Sequence, residues 1–514
     1  MNGAEALLIT LVDSGIEICF ANPGTSEMQL VSAIGKTEAM RPVLCLFEGV
    51  VSGAADGYAR MADKPAATLL HLGSGFSNSL ANMHNARRAG SPVVNIVGDH
   101  ASYHLEFDAP LTTDLPTIAR WGSHWTEVAH SPEDLSAAGA RAVQAAMRGN
   151  GQIATLIAPA DHAWTEAAEV SPALPAPAPL SVPPERVERI AMAIRSGKKT
   201  CLLLGARALR EGNLHKLGAM AETFELTLMC STFPARLQRG AGRVAIERLP
   251  YFAEPAADAL AVFDQVILLG APAPVSFFAY PEVEGWLTPE DAALIIFAEA
   301  SEDVDTAVLD LSMTLDTQSV TPEIQSRQLH EIDDAVLNPE SIGKIMSNEM
   351  PDNTIVSDEG NTCGLGIYQY TAAAAAHDWL TLTGGAIGQG LPLALGAALA
   401  CPERKVVALE ADGSSLYTIQ SLWSMARENA DVTVVLLNNK SYAILNIELT
   451  RVGAGTPNAK TLSMLDLSNP DMDFACMARG MGVKASQATT SAEFADQFAL
   501  AMRTHGPCLI EVIL

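Results

Sequence analysis

Short runs that are apolar from end to end, spaced so that a helix fits between them, set the strongest limit on the fold of this chain. "IEICFAN", "PVLCLF", "ATLLHLG", "VVNIVGD" and "IATLIAP" come first; "TCLLLGA", "TLMCSTF", "QVILLGAP" and "ALIIFAE" follow; "TIVSDEG", "WLTLTGG", "KVVALEADG", "VTVVLLNN" and "CLIEVIL" come last. A strand with one solvated face alternates apolar and polar residues, whereas an unbroken apolar run is buried on both faces. Such strands belong to parallel sheets covered by helices on either side. The pattern predicts an α/β protein built from doubly wound parallel sheets.

Two stretches break the pattern. "VSPALPAPAPLSVPPERVE" (Val170 to Glu188) is rich in Pro and Ala, and Leu315 to Ser341 is polar and mixed. Both read as linkers. They leave three domains, 1–170, 184–330 and 338–514, which 514 residues can supply at ordinary domain size. A hydrophobic content of 48% against 18% charged residues supports three packed cores. The net charge of −27 repels phosphate, so neither nucleic acid nor an anionic membrane is an expected partner. "MNGAEALLITLVDSGIE" lacks a basic leader and a cleavage site and reads as an amphipathic first helix. No charge-free apolar run reaches the roughly 20 residues of a membrane span. The eight cysteines form no C-x-x-C pair, which points to buried free thiols in a reducing cytoplasm and away from zinc.

In doubly wound sheets, ligands bind at the carboxyl ends of strands. In "KVVALEADGSSLYTIQSLWSMARENADVTVVLLNNKSY" one strand ends at Asp412-Gly413-Ser414 and the next at Asn438-Asn439, with a helix of about four turns expected between them. A βαβ unit brings both ends to one sheet edge. A carboxylate (Asp412), an amide oxygen (Asn439) and a loop carbonyl (Ser441) suit an oxygen-coordinated Mg²⁺. The helix opening at Gly413 and Ser414 would favour a phosphate group. On spacing alone, a polar loop without a metal remains the equal alternative.

The whole segment resembles the diphosphate-binding motif of the thiamine diphosphate (ThDP) enzymes, with Ala411 where that family has Gly. "LTGGAIGQGLPLALGAALA" and "SDEGNT" match two further parts of the same site. The resemblance implies that Gly385 offers its carbonyl to the aminopyrimidine and that Ile387 wedges the cofactor into a bent shape. It implies that Asn361, Thr362, Gly413, Ser414, Asn439 and Tyr442 line the cofactor, and that Asp412, Asn439 and Ser441 hold the metal.

The resemblance covers nearly the whole chain and is closest to benzoylformate decarboxylase and the acetolactate synthase large-subunit homologues. "FANPGTSEMQL" matches the N-P-G-x-x-E segment and "LFEGVVSGAADGYARM" the catalytic glutamate helix, so Glu48 is implied as the acid that exchanges a proton with the cofactor pyrimidine. His71, at the end of "ATLLH", is implied to orient the substrate carboxylate and relay protons, with Thr25 as a supporting hydroxyl. In this family the glutamate serves a cofactor held by another subunit, which implies a homodimer or homotetramer with active sites between chains. His100 and His104 in "VGDHASYHLEF" follow the next strand, and His104 is expected in the substrate pocket; His84 and His124 read as structural.

In "LLGAPAPVSFFAYPEVEGWL" the family decarboxylase carries a second catalytic histidine, but this chain has Phe277 and Phe278. With Ile444 and Leu445 these residues imply an apolar substrate pocket and a different final step. The implied reaction is cleavage or formation of the carbon–carbon bond beside a 2-oxo acid carbonyl, with aldehyde release or ligation to an aldehyde acceptor. The middle segment shows no FAD pattern, so no FAD is expected. The alternatives are an FAD-containing acetolactate synthase or oxidase, and a catalytically silent binding or regulatory subunit.

Overall fold

Three mostly parallel sheets organise the computed structural model, which describes residues 1–166, 168–332 and 336–514. The first comprises β1 (Ile18–Ala21), β2 (Arg41–Leu44), β3 (Ala66–His71), β4 (Val93–Asp99), β5 (Trp125–Val128) and β6 (Ile153–Pro159), in spatial order β2-β1-β3-β4-β6-β5. Every pairing in it is parallel. Every residue of β4 and β6 is buried, as an unbroken apolar run demands.

The middle segment contributes β7 (Thr200–Leu204), β8 (Thr227–Cys230), β9 (Leu237–Arg239), β10 (Glu247–Arg248), β11 (Gln265–Leu269) and β12 (Ala293–Ala298). All but β9 form a second sheet, β10-β8-β7-β11-β12. The third sheet holds β13 (Thr354–Glu359), β14 (His377–Thr381), β15 (Val406–Ala411), β16 (Val432–Asn438), β17 (Lys484–Ala488) and β18 (Cys508–Ile513), in the order β17-β18-β16-β15-β13-β14-β9. Its last place is taken by β9, which pairs antiparallel with β14 and sets Arg239 opposite His377. A segment read as part of the middle domain thus completes the sheet of the last one.

Every predicted apolar run contains a strand. The strands that escaped prediction, β5, β9, β10 and β17, are short or polar. Residues 168–179, in the Pro-rich stretch, form no helix or strand, and an isolated bridge joins Leu180 to Glu302. Ala167 and residues 333–335 lie outside the described residues. The chain begins with the expected helix, Gly3–Asp13, which Asn2 and Glu5 cap reciprocally. Among the described residues, no helix is long and apolar enough to cross a membrane.

The helix Glu48–Ala62 is buried along nearly its whole length. It crosses the helix Gly390–Ala400 of the same chain at backbone contact. A Cβ on Gly57 would lie 2.0 Å from the Leu393 carbonyl oxygen, and one on Gly396 would lie 1.9 Å from that of Ala54. Only glycine permits this approach, which accounts for the small residues after Glu48. A buried ion pair, Arg60 to Asp56 at 2.6 Å, ties the crossing to its surroundings. Arg60 also donates to the Thr381 carbonyl (2.9 Å), and Asp56 accepts from Ser91 and Gln389, both at 2.5 Å.

One prediction needs correction. The continuous four-turn helix expected after Asp412 is two helices, Asp412–Ser415 and Ser421–Glu428, with turns between them. Thr418, in the break, donates its hydroxyl to the Gly388 carbonyl at 2.9 Å. That bond draws the chain toward the Gly384–Gly388 turn, where a straight helix would carry it past.

Candidate active site

Parallel pairing of β15 with β16, which sets Ala411 opposite Leu437, brings Asp412 and Asn439 out side by side. They line one cavity with Asn361, Thr362, Cys363, Gly413, Ser414, Ser441, Tyr442 and Ile444. Asp412 is buried, and its carboxylate accepts the N–H groups of Gly413 and Lys440, each at 2.7 Å. Burial is the largest influence on this carboxyl and lifts its pKa above the ordinary aspartate value. Asn439 Oδ1 accepts the Ser441 N–H at 3.0 Å, and Asn439 Nδ2 lies 3.8 Å from Cys363 Sγ. Asn361 takes a positive φ of 47°, a region that asparagine tolerates, and donates its amide to Ser414 Oγ at 2.8 Å. The Tyr442 ring covers Gly413, where a Cβ would lie 2.5 Å from it.

The turn carrying Gly385 (φ +74°) and Ile387 leads into the helix Gly390–Ala400. One face of the helix Leu72–Ala89 grips it. Asn85 donates to the Ala386 carbonyl at 2.7 Å and accepts its N–H at 3.2 Å. His84 Nε2 meets the Gly384 carbonyl at 3.2 Å. Asn82 donates to the carbonyls of Gly388 (3.0 Å) and Gly49 (2.8 Å), joining this turn to the residue after Glu48. His84, read from sequence as structural, therefore touches the predicted cofactor turn.

Beneath the turn lie two buried acids, Glu359 at the end of β13 and Glu410 paired with it on β15. Glu359 accepts the N–H groups of Gly388 (2.6 Å) and Gly390. Burial raises the Glu359 pKa to about 7. Burial and then the neighbouring Glu359 push Glu410 well above the carboxylate range.

A second group sits at the carboxyl edge of the first sheet. Glu48 is buried and starts its helix, and its two carboxylate oxygens accept from Asn22 and Asn78, both at 3.0 Å. The acid that the sequence presents without a cation thus has two neutral amide partners. His71, the last residue of β3, places Nδ1 2.9 Å from Glu27 Oε2 and 3.2 Å from Ser26 Oγ. A carboxylate acceptor puts the proton on Nδ1 and leaves Nε2 free. Two glycines make room for this group: a Cβ on Gly24 would lie 2.2 Å from His71 Nδ1, and one on Gly98 would lie 2.0 Å from Glu27 Oε1. Thr25 is exposed beside them, and the hydroxyl that meets His71 belongs to Ser26. Next to Glu27, Asp99 at the end of β4 is buried, and that burial raises its pKa.

The expected pocket residues are spread around these groups. His104 is exposed and stacks near His100 and Phe107, with both ring centroids 5.6 Å away. Phe277 approaches the predicted cofactor turn, where its ring would lie 2.6 Å from a Cβ on Gly385. It packs with Phe278 (4.9 Å), Tyr251 (5.4 Å) and Phe233 (5.8 Å) in an aromatic wall. Ile444 lines the Asp412 cavity, whereas Leu445 on the same helix is 46% exposed. Within one chain, Glu48 and His71 are not among the residues lining that cavity.

Comparison with known proteins bears on both groups. Residues 1–124 match the family described as thiamine pyrophosphate enzyme, N-terminal TPP binding domain. Residues 360–512 match thiamine pyrophosphate enzyme, C-terminal TPP binding domain. A Mycobacterium tuberculosis protein named "Putative acetolactate synthase large subunit IlvX" is 48% identical over 515 residues, spanning 100% of this chain and 99% of that protein. Benzoylformate decarboxylase of Pseudomonas aeruginosa is 28% identical over 535 residues, spanning 97% of this chain and 96% of the enzyme. The thiamine diphosphate-dependent 4-hydroxybenzoylformate decarboxylase of Rhodococcus jostii RHA1 has the same fold, with a TM-score of 0.87 at 23% identity over 100% of this chain and 99% of that one.

Proposed function

The chain belongs to the thiamine diphosphate (pyrophosphate) enzymes, the family of acetolactate synthases and benzoylformate decarboxylases, and from that premise we propose that it cleaves or forms the carbon–carbon bond beside the carbonyl of a 2-oxo acid. The observation that carries this reading is the Asp412 cavity. A buried carboxylate held only by neutral N–H donors has charge to spare for a divalent cation, and Mg²⁺ takes oxygen ligands of this kind. Asp412, Asn439 and the Ser441 carbonyl would hold the metal. Asn361, Thr362, Gly413 and Ser414 would line the diphosphate, with Tyr442 packed over it.

When bound, thiamine diphosphate supplies a carbon nucleophile and accepts the electron pair left by departing CO₂. The chain supplies orientation and proton control. The Gly385 carbonyl and Ile387 position the pyrimidine. Glu48, aimed by Asn22 and Asn78, holds and returns a proton at its carboxylate. His71, fixed by Glu27, presents Nε2 to the substrate carboxylate, with the Thr25 hydroxyl beside it. Phe277, Phe278, Ile444, Leu445 and His104 surround the substrate side chain or an aldehyde acceptor. No flavin enters this reading.

Glu48 and His71 are not among the residues lining the Asp412 cavity of their own chain, and in this reading they serve the cavity of a second subunit. Exposed Tyr103 and Phe107 near the first-sheet edge support that pairing. Calorimetry with thiamine diphosphate and Mg²⁺, followed by mass analysis of products from a panel of 2-oxo acids, tests the proposal. Cofactor uptake with an aldehyde or acyloin product is expected. Uptake without product leaves the silent-subunit alternative standing, and no uptake removes the cofactor reading.

A further inference from the structure

The N-terminus of the helix Gly390–Ala400 is held in an unusual way. Its N-cap residue, Gln389, makes no side-chain cap, and its amide is committed to Asp56 at 2.5 Å. The free N–H groups at the helix start are met from another part of the sheet. Glu359, 2% exposed at the end of β13, accepts those of Gly388 and Gly390, and that of Gln389 is also directed at it. The Gly388 carbonyl is fixed on its other side by Asn82 (3.0 Å) and Thr418 (2.9 Å). Gly388, the residue following Ile387, is therefore held at both its N–H and its carbonyl. Glu359 also reaches the Ser414 hydroxyl, to which Asn361 donates from the far side of the diphosphate cavity. One carboxylate thereby touches both the turn assigned to the pyrimidine and the residues assigned to the diphosphate.

We propose that Glu359 is a positioning residue: it sets the distance and orientation of the Gly385–Ile387 turn relative to the Ser414 edge of the cavity, so that the two ends of one cofactor are received together. The proposal rests on the assignment of Gly385 and Ile387 to the pyrimidine. Its chemical basis is the acceptor capacity of a carboxylate. Two oxygens with about four lone-pair sites can receive three successive N–H groups and a hydroxyl at once, which neither a hydroxyl nor an amide can do. Glutamine at this position would keep one acceptor oxygen and turn an NH₂ group toward N–H donors. The turn would then move away from the sheet while the far wall of the cavity stayed in place.

The test separates the two ends of the ligand. Binding of thiamine diphosphate with Mg²⁺, and of inorganic diphosphate with Mg²⁺, is measured by calorimetry on the full-length wild type and on Glu359→Gln. For the variant the expected result is at least tenfold weaker binding of thiamine diphosphate and less than twofold change for inorganic diphosphate. The circular dichroism that the pyrimidine acquires on binding should weaken in parallel, since a looser turn holds the ring less rigidly. Equal losses for both ligands would reduce Glu359 to a structural cap and overturn the proposal, as would unchanged thiamine diphosphate affinity. If Glu359→Gln does not fold, Glu359→Asp is read by the same criteria, because it keeps the charge and shortens the reach by one methylene. A wild type that binds inorganic diphosphate but not thiamine diphosphate refutes the pyrimidine assignment itself, a failure that Glu359 variants cannot mimic.

Discussion

Glu48 shows how a residue can be found in a sequence while its surroundings are not. An acid at the junction of a buried strand and a buried helix was conspicuous, but its partners Asn22 and Asn78 lie 26 and 30 residues away. Replacing Glu48 by Gln keeps the shape and one acceptor oxygen and removes the exchangeable proton. Glu48→Gln should bind thiamine diphosphate within a few-fold of wild type while turnover falls at least about 100-fold, the scale of a lost general acid–base group. Steady-state kinetics beside calorimetry checks this, and wild-type-like turnover would refute the role. His71 and Asp412 were legible for the same reason as Glu48: a polar residue ending an apolar run. Ser26, Asn82 and Asn85 were not singled out, because each acts on another residue, and an isolated polar position on a helix or turn resembles any solvated one; Glu27 was legible only as the last residue of the N-P-G-x-x-E segment, without its bond to His71.

Elements were legible in proportion to how apolar they are. The buried strands announced themselves, whereas β9 has the sequence "LQR" and gains its place only from the strand it joins. Its pairing puts Arg239 beside His377, whose pKa burial lowers to about 3, with Arg239 adding to the effect. Unfolded, this histidine takes up a proton near pH 6.5; folded, it stays neutral until about pH 3. Its contribution to stability therefore falls as the pH drops through that window, with a slope of up to about 1.4 kcal/mol per pH unit. Relative to His377→Gln, wild type should lose stability between pH 6.5 and pH 4, measured by denaturant unfolding at each pH. The helix crossing yields a second expectation. A methyl group at Gly396 meets the Ala54 backbone, which cannot turn aside as a side chain can. Gly396→Ala should destabilise the protein by about 1–3 kcal/mol, the range for overpacking a filled core, as measured by urea denaturation. Retention of wild-type stability would mean that the helices are not in backbone contact.

At the scale of the molecule, charge and apolar surface pull in opposite directions. The net charge of −27 favours separate, soluble chains, yet Tyr103, Phe107, Phe278 and Tyr417 are each more than half exposed. If the first-sheet edge of one chain serves the cavity of another, light scattering coupled to size exclusion should give two or four times the 54.2 kDa chain mass. A monomer that still turns over substrate would refute the shared site. The three-sheet plan was legible because two breaks in composition divide the apolar runs. The mutual grip of first and last segments was not, since it depends on close approach at Gly57 and Gly396 and on amide contacts scattered along one helix.

The strand β9 also affects how the chain is made. Translation delivers Leu237–Arg239 long before the ribosome reaches its partner; Arg243, just beyond the strand, bonds the carbonyl of His377, 134 positions further along the chain. Until β14 emerges, the nascent middle segment carries an unsatisfied strand edge and a guanidinium destined for a pocket that does not yet exist. Domains that fold in order of synthesis complete one core before the next begins. Here β9, made together with the second sheet, stays unpaired until β14 of the third is delivered, and the chain carries that open edge during the interval.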